Sequence, residues 1–182
     1  MLANYQLTQA KHSPLRYNAG MNKDSAALVQ ELADRLLKHR QKVCAAESCT
    51  GGLIAKTITD LAGSSDWFER GFVTYSDAAK KDALGVDARI LQEAGAVSRA
   101  VVLQMAEGAR RRAAVDIAVA VTGIAGPDGG TLDKPVGTVW FAWSRKDHAP
   151  DAEVVCFRGD RDAVRRQTVA HALRGLIERM AS

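Results

Sequence analysis

The chain carries only three cysteines, Cys44, Cys49 and Cys156. Their odd number and unpaired spacing argue against a disulfide framework or a structural zinc site. A reducing, cytoplasmic setting follows as the expectation. No apolar run approaches the roughly 18 residues that a membrane helix needs, and Met1 to Gly20 lacks the basic-then-apolar plan of a secretory signal. Nucleotide-binding signatures are missing as well. No glycine is followed by Lys-Ser or Lys-Thr, as a P-loop requires, and no G-x-G-x-x-G follows the first candidate strand. Without a helix-turn-helix, zinc-finger or aromatic-basic sheet signature, no nucleic-acid partner is expected. The four histidines are badly placed for a Ser-His-Asp triad: His12 precedes the first periodic segment, His39 ends a helix, His148 sits in a turn and His171 lies inside the last helix.

What the chain does have is enough apolar content for one well-packed domain. It runs to 182 residues, 47% of them hydrophobic, with 25 basic and 21 acidic side chains and a net charge of +4. A modest basic surplus of this kind suits a small anionic molecule. Arg110 to Arg112 and Arg165-Arg166 fall on helical patterns and read as solvated faces.

Apolar spacing organises the sequence. Residues 1–20 read as a loose extension, with the domain proper, and a candidate translation start, at Met21; the domain occupies 21–182. A first helix capped by Asp24 or Ser25 runs to about His39. A buried strand follows at Val43 to Ala46, then a helix over Thr50 to Leu61, and a strand over Gly71 to Tyr75 after the anchor Trp67-Phe68. Helices are expected at Asp77 to Leu84, Ala88 to Glu93 and after the cap Ser98. Asp116 to Thr122 reads as a strand buried on both faces. Val136 to Trp143 and Glu153 to Phe157 pair as a hairpin, and Asp160 or Asp162 caps the last helix. This order specifies an α/β fold: a single three-layer α/β/α domain with a mixed, partly parallel sheet. Trp140 and Trp143 suit an interface as well as a core, so a homo-oligomer stays open.

Candidate chemistry sits where strands end and helices begin. Ser48, in Glu47-Ser48-Cys49-Thr50-Gly51-Gly52, occupies such a turn beside backbone amides that can stabilise an oxyanion; it is either a nucleophile or only a helix cap. With no suitable histidine, a lysine whose neutral form is favoured by burial is the alternative base, and Lys80 is best placed. Read locally, Tyr75 and Lys80 are equally a strand-end tyrosine and a surface lysine. Gly123 to Gly130, the densest glycine stretch, either forms a phosphate-binding nest or shapes a wall.

Five blocks in order resemble one known family: Glu47 to Gly52; Phe72-Val73-Thr74-Tyr75-Ser76 with Lys80; Gly123 to Gly130 with Pro127 and Asp128; Lys134-Pro135-Val136-Gly137-Thr138-Val139; and Gly159-Asp160-Arg161. Together they are similar to the C-terminal domain of the CinA (competence/damage-inducible) family and to its stand-alone nicotinamide-nucleotide amidases, from about Met21 onwards. The resemblance implies hydrolysis of nicotinamide mononucleotide to nicotinate mononucleotide and ammonia, within pyridine-nucleotide recycling, without metal or organic cofactor. It implies Ser48 as nucleophile, Lys80 as base and Tyr75 as active-site tyrosine. Cys49, Thr50, Gly51, Gly52, Gly123, Gly126, Gly129 and Arg161 are then the oxyanion- and substrate-binding set, with Arg165 and Arg166 as further phosphate candidates. A thiol nucleophile at Cys49 is the rival mechanism. The rival function is a non-catalytic module that binds nucleotides or a DNA-damage or competence partner.

Overall fold

The computed structural model describes residues 23–180; the expected extension and the Met21 start lie outside the described residues. Five strands form one sheet in the order β2-β1-β3-β4-β5, where β1 is Val43–Glu47, β2 Phe68–Val73, β3 Ile117–Gly123, β4 Thr138–Arg145 and β5 Asp151–Cys156. The central β1 runs parallel to β2 and β3, while β3, β4 and β5 are successively antiparallel. Six helices cover both faces: α1 (Lys23–His39), α2 (Leu53–Thr59) and α6 (Arg161–Met180) on one, and α3 (Asp77–Leu84), α4 (Ala88–Ala94) and α5 (Arg99–Ala113) on the other. The expected mixed α/β/α sandwich is the architecture observed.

Strand alternation assigns side chains to the two faces. Val43, Ile117, Val119, Val121, Phe141 and Trp143 point toward α1 and α6, whereas Cys44, Ala46, Ala118, Ala120 and Ala142 point toward α5. The small residues let α5 lie close to the sheet. On its other side α5 meets α3 at Gly108, where a Cβ would fall 1.9 Å from the Leu84 carbonyl oxygen.

Several boundaries differ from the expectation. The first helix starts at Lys23, which puts Asp24 in its first turn rather than at its cap. The second helix begins at Leu53 instead of Thr50, because Gly51 and Gly52 take positive φ (60° and 95°) and hold the preceding segment as a turn. Strand β2 ends at Val73, two residues early, so the backbone at Thr74 and Tyr75 leaves the sheet. Asp160, not Asp162, caps α6 by accepting from the Ala163 N–H at 2.8 Å. Two arginines expected on solvated faces are half-buried: Arg110 donates to Ser144 Oγ and Arg165 to the Thr50 carbonyl.

Trp143 belongs to the core, stacked on Phe141 at 5.9 Å and donating Nε1–H to the Ala172 carbonyl, while Trp140 is half-buried against the α5 side. The tryptophan fits because α6 has glycine opposite it: a Cβ on Gly175 would lie 2.1 Å from Trp143 Cζ2. Replacing Gly175 by Ala gains about 1 kcal/mol of helix propensity but overpacks a rigid ring at a cost of about 1–3 kcal/mol. The overlap is severe enough for the cost to win, so Gly175→Ala lowers the urea midpoint with an unchanged slope; a raised midpoint contradicts this packing.

Candidate active site

The parallel half of the sheet brings three strand ends together. Glu47 closes β1 opposite Val73 of β2 and Val121 of β3, so the residues that follow each strand meet at one edge. Ser48, Cys49, Tyr75, Asp77, Lys80, Ala96, Val97, Thr122, Gly123, Ala125 and Arg161 line a cavity of about 220 Å³ there.

Lys80 lies one turn into α3, and helical geometry turns it back over the end of β2. That helix is placed by Ser76, whose hydroxyl accepts from the Ala79 N–H at 3.1 Å. Lys80 is 1% exposed. Its Nζ donates to the carbonyls of Thr74 (3.1 Å) and Tyr75 (3.3 Å), both freed by the early end of β2, and lies 3.2 Å from Ser48 Oγ. Burial pushes the Lys80 pKa below its ordinary value, and Asp77, 3.9 Å away, partly opposes this.

Ser48 itself is held at the end of β1 by its N–H, which donates to the Val121 carbonyl at 3.1 Å. The following turn is organised by Glu47, fully buried. Its Oε2 accepts from Thr50 Oγ1 (2.6 Å), Gly52 N–H (3.0 Å) and Ile54 N–H (3.0 Å), and its Oε1 from Ala55 N–H (2.8 Å). Gly51 N–H donates to the Ser48 carbonyl. Among the described residues, the Cys49 and Thr50 N–H groups donate to no backbone carbonyl. Sequence reasoning placed Glu47 in the motif but missed its part in holding α2; the available signal was an acid ending an otherwise apolar strand.

Tyr75 is 60% exposed, and its hydroxyl accepts from Arg161 Nη2 at 2.9 Å, while Arg161 Nη1 donates to the Gly126 carbonyl at 2.8 Å. The tyrosine hydroxyl thus faces the cavity mouth, and its residue meets Lys80 through the backbone. Gly123 joins the wall, and its missing Cβ admits Thr138 O, which would otherwise lie at 2.7 Å. Gly126 and Gly129 take positive φ in the loop behind, outside the lining. Thr50, Gly51 and Gly52 also stand behind the lining, and Arg166 pairs with Asp162 away from it. Asp77, Thr122, Ala96 and Val97 complete the cavity without having been singled out for it. Thr122 is readable as a strand-end polar residue, but nothing in the local sequence marks the loop at Ala96, which Thr122 Oγ1 ties down at 2.9 Å.

No helix among the described residues is long and apolar enough to cross a membrane, and no group of three or more His, Cys, Asp or Glu is arranged to hold a metal ion. The Cys49 thiol is buried, and burial raises its pKa to about 12 against the opposing hydrogen bond from its own backbone N–H, with the charge of Glu47 adding to the rise; burial does the same at Cys44. Iodoacetamide at pH 8 is therefore expected to alkylate the exposed Cys156 and spare Cys44 and Cys49, read by peptide mass. Rapid labelling of Cys49 contradicts an inert thiol.

The family model described as the CinA C-terminal domain matches residues 25–180. A nicotinamide-nucleotide amidohydrolase PncC of Escherichia coli (strain K12) is 54% identical over 149 residues, covering 82% of this chain and 90% of its own. The protein of the same name from Pseudomonas putida is 50% identical over 83% of this chain and 94% of its own. The crystal structure of the competence/damage inducible protein CihA from Agrobacterium tumefaciens superposes with a TM-score of 0.87 at 42% identity, covering 91% of this chain and all of the other. The chain belongs to the CinA C-terminal-domain family.

Proposed function

We propose that this chain is a nicotinamide-nucleotide amidase that converts nicotinamide mononucleotide to nicotinate mononucleotide and ammonia through a seryl ester on Ser48. The observation that carries this reading is the buried Lys80 amine 3.2 Å from the Ser48 hydroxyl. The names of the similar proteins from Escherichia coli and Pseudomonas putida support the substrate.

The surroundings of Lys80 suit proton exchange. A neutral amine has two N–H bonds and one lone pair; with Thr74 and Tyr75 carbonyls taking the N–H bonds, the lone pair is left for the Ser48 O–H. After it accepts the proton, the ammonium has three N–H bonds and the same three neighbours, so little rearrangement is needed. Ser48 Oγ attacks the carboxamide carbon as its proton passes to Lys80. Backbone N–H groups of the turn that follows Ser48 then hold the oxyanion. Collapse expels the amine, protonated by Lys80, as ammonia. Neutral Lys80 next takes a proton from water as the water oxygen attacks the ester, and on collapse returns it to Ser48 Oγ as the acid leaves.

A cavity of 220 Å³ has room for the pyridine ring and its amide but not for a whole nucleotide. The ribosyl phosphate therefore lies at the mouth, where Arg161 supplies positive charge and Tyr75 an exposed ring. The raised pKa of the buried Cys49 thiol disfavours it as the nucleophile and supports Ser48.

Ammonia release from nicotinamide mononucleotide by the purified chain is expected, with loss of activity in Ser48→Ala and a fall of about 10²–10⁴-fold in kcat for Lys80→Ala. A Ser48→Ala protein that still turns over contradicts the mechanism. Because the base must be neutral, kcat/KM rises with pH through a midpoint below the ordinary lysine value of 10.5. Asp77→Asn removes a charge that favours the Lys80 ammonium, so the midpoint moves to lower pH; an upward or absent shift counts against Lys80 as the titrating group.

A further inference from the structure

We infer that Glu47 is a positioning residue, whose carboxylate makes the Ser48 turn competent by holding the first amides of α2 and the Thr50 hydroxyl, and so fixing the backbone that follows Ser48. The inference rests on the amidase reading above and deepens it.

All four partners of Glu47 are donors: one hydroxyl and three backbone N–H groups converge on two oxygens. A carboxylate, which only accepts, satisfies that arrangement. A carboxamide of the same shape cannot, because its NH₂ must confront at least one N–H. Helix α2 is thereby pinned to the end of β1 across a turn of only five residues, Ser48 to Gly52. Thr50, fully buried, is gripped from two sides, its hydroxyl by Glu47 and its carbonyl by Arg165 Nη2 at 2.6 Å. These contacts fix the peptide planes on either side of Thr50, and with them the direction of the N–H groups next to Ser48. Glu47 lines no part of the cavity; its effect passes through the turn.

Two variants of the full chain, Glu47→Gln and Thr50→Val, test this with three readouts: kcat and KM for nicotinamide mononucleotide, and the rate at which a fluorophosphonate probe modifies Ser48. Misdirected oxyanion donors weaken the transition state and spare ground-state binding. For Glu47→Gln, kcat and the labelling rate should fall together by about 10²-fold while KM stays near that of the parent. Thr50→Val, which removes one donor, should show a smaller fall of the same kind, and it carries the test should Glu47→Gln fail to fold. A parental kcat in either folded variant, or a loss confined to KM, overturns the inference. If the parent chain releases no ammonia from the nucleotide, the amidase reading fails, and the labelling rates still decide the role of Glu47.

Discussion

An amine withdrawn from water beside a serine hydroxyl is the constraint on which the rest of the site depends. Lysine is charged in water because hydration stabilises the ammonium. At 1% exposure Lys80 loses that hydration and receives in return two carbonyls, a hydroxyl and a distant carboxylate. The carbonyls do not offset desolvation fully, so the neutral form is favoured relative to a free lysine. Burying such a group is unfavourable for folding, and the fold retains it beside the Ser48 hydroxyl.

The layered packing produces that place. Small side chains on one face of the sheet let α5 sit close, and α3 packs on α5 through the glycine contact at Gly108, which sets the height of Lys80 over the sheet edge. Bulky side chains on the other face seat α1 and α6, and α6 sends Arg161 to the cavity lining and Arg165 to the Thr50 carbonyl behind it. Glu47 joins the two halves: its backbone carbonyl accepts from Thr74 at the end of β2, and its side chain holds the start of α2. One residue therefore links the strand that carries Ser48 to the segment whose carbonyls hold Lys80.

Much of this was legible in the sequence, for identifiable reasons. Residue patterning located the five strands and six α-helices of the described residues but not the short 3-10 turn at Ser64–Asp66, the cap Ser98 marked a true helix start, and the turn at Ser48 stood out because glycines follow a short apolar run. Boundaries were lost where side chains far away in sequence decide them. The helix after Ser48 starts late because Gly51 and Gly52 take positive φ in a turn that the Glu47 carboxylate holds, and the carbonyls of Thr74 and Tyr75, past the end of β2, are held by Lys80 rather than by a neighbouring strand. The burial of Arg110 and Arg165 was hidden for the same reason: helical spacing shows which face a residue occupies but not that Ser144 or the Thr50 carbonyl waits opposite. The cavity wall at Ala96 comes from a loop whose composition carries no signal.

The most direct measurement follows the Lys80 ammonium itself, by NMR titration of ¹³C-labelled lysine side chains with Lys80→Arg used to assign the resonance. The account predicts a midpoint clearly below 10.5 that coincides with the midpoint of kcat/KM against pH. A Lys80 that titrates with the surface lysines, while activity rises at lower pH, contradicts it.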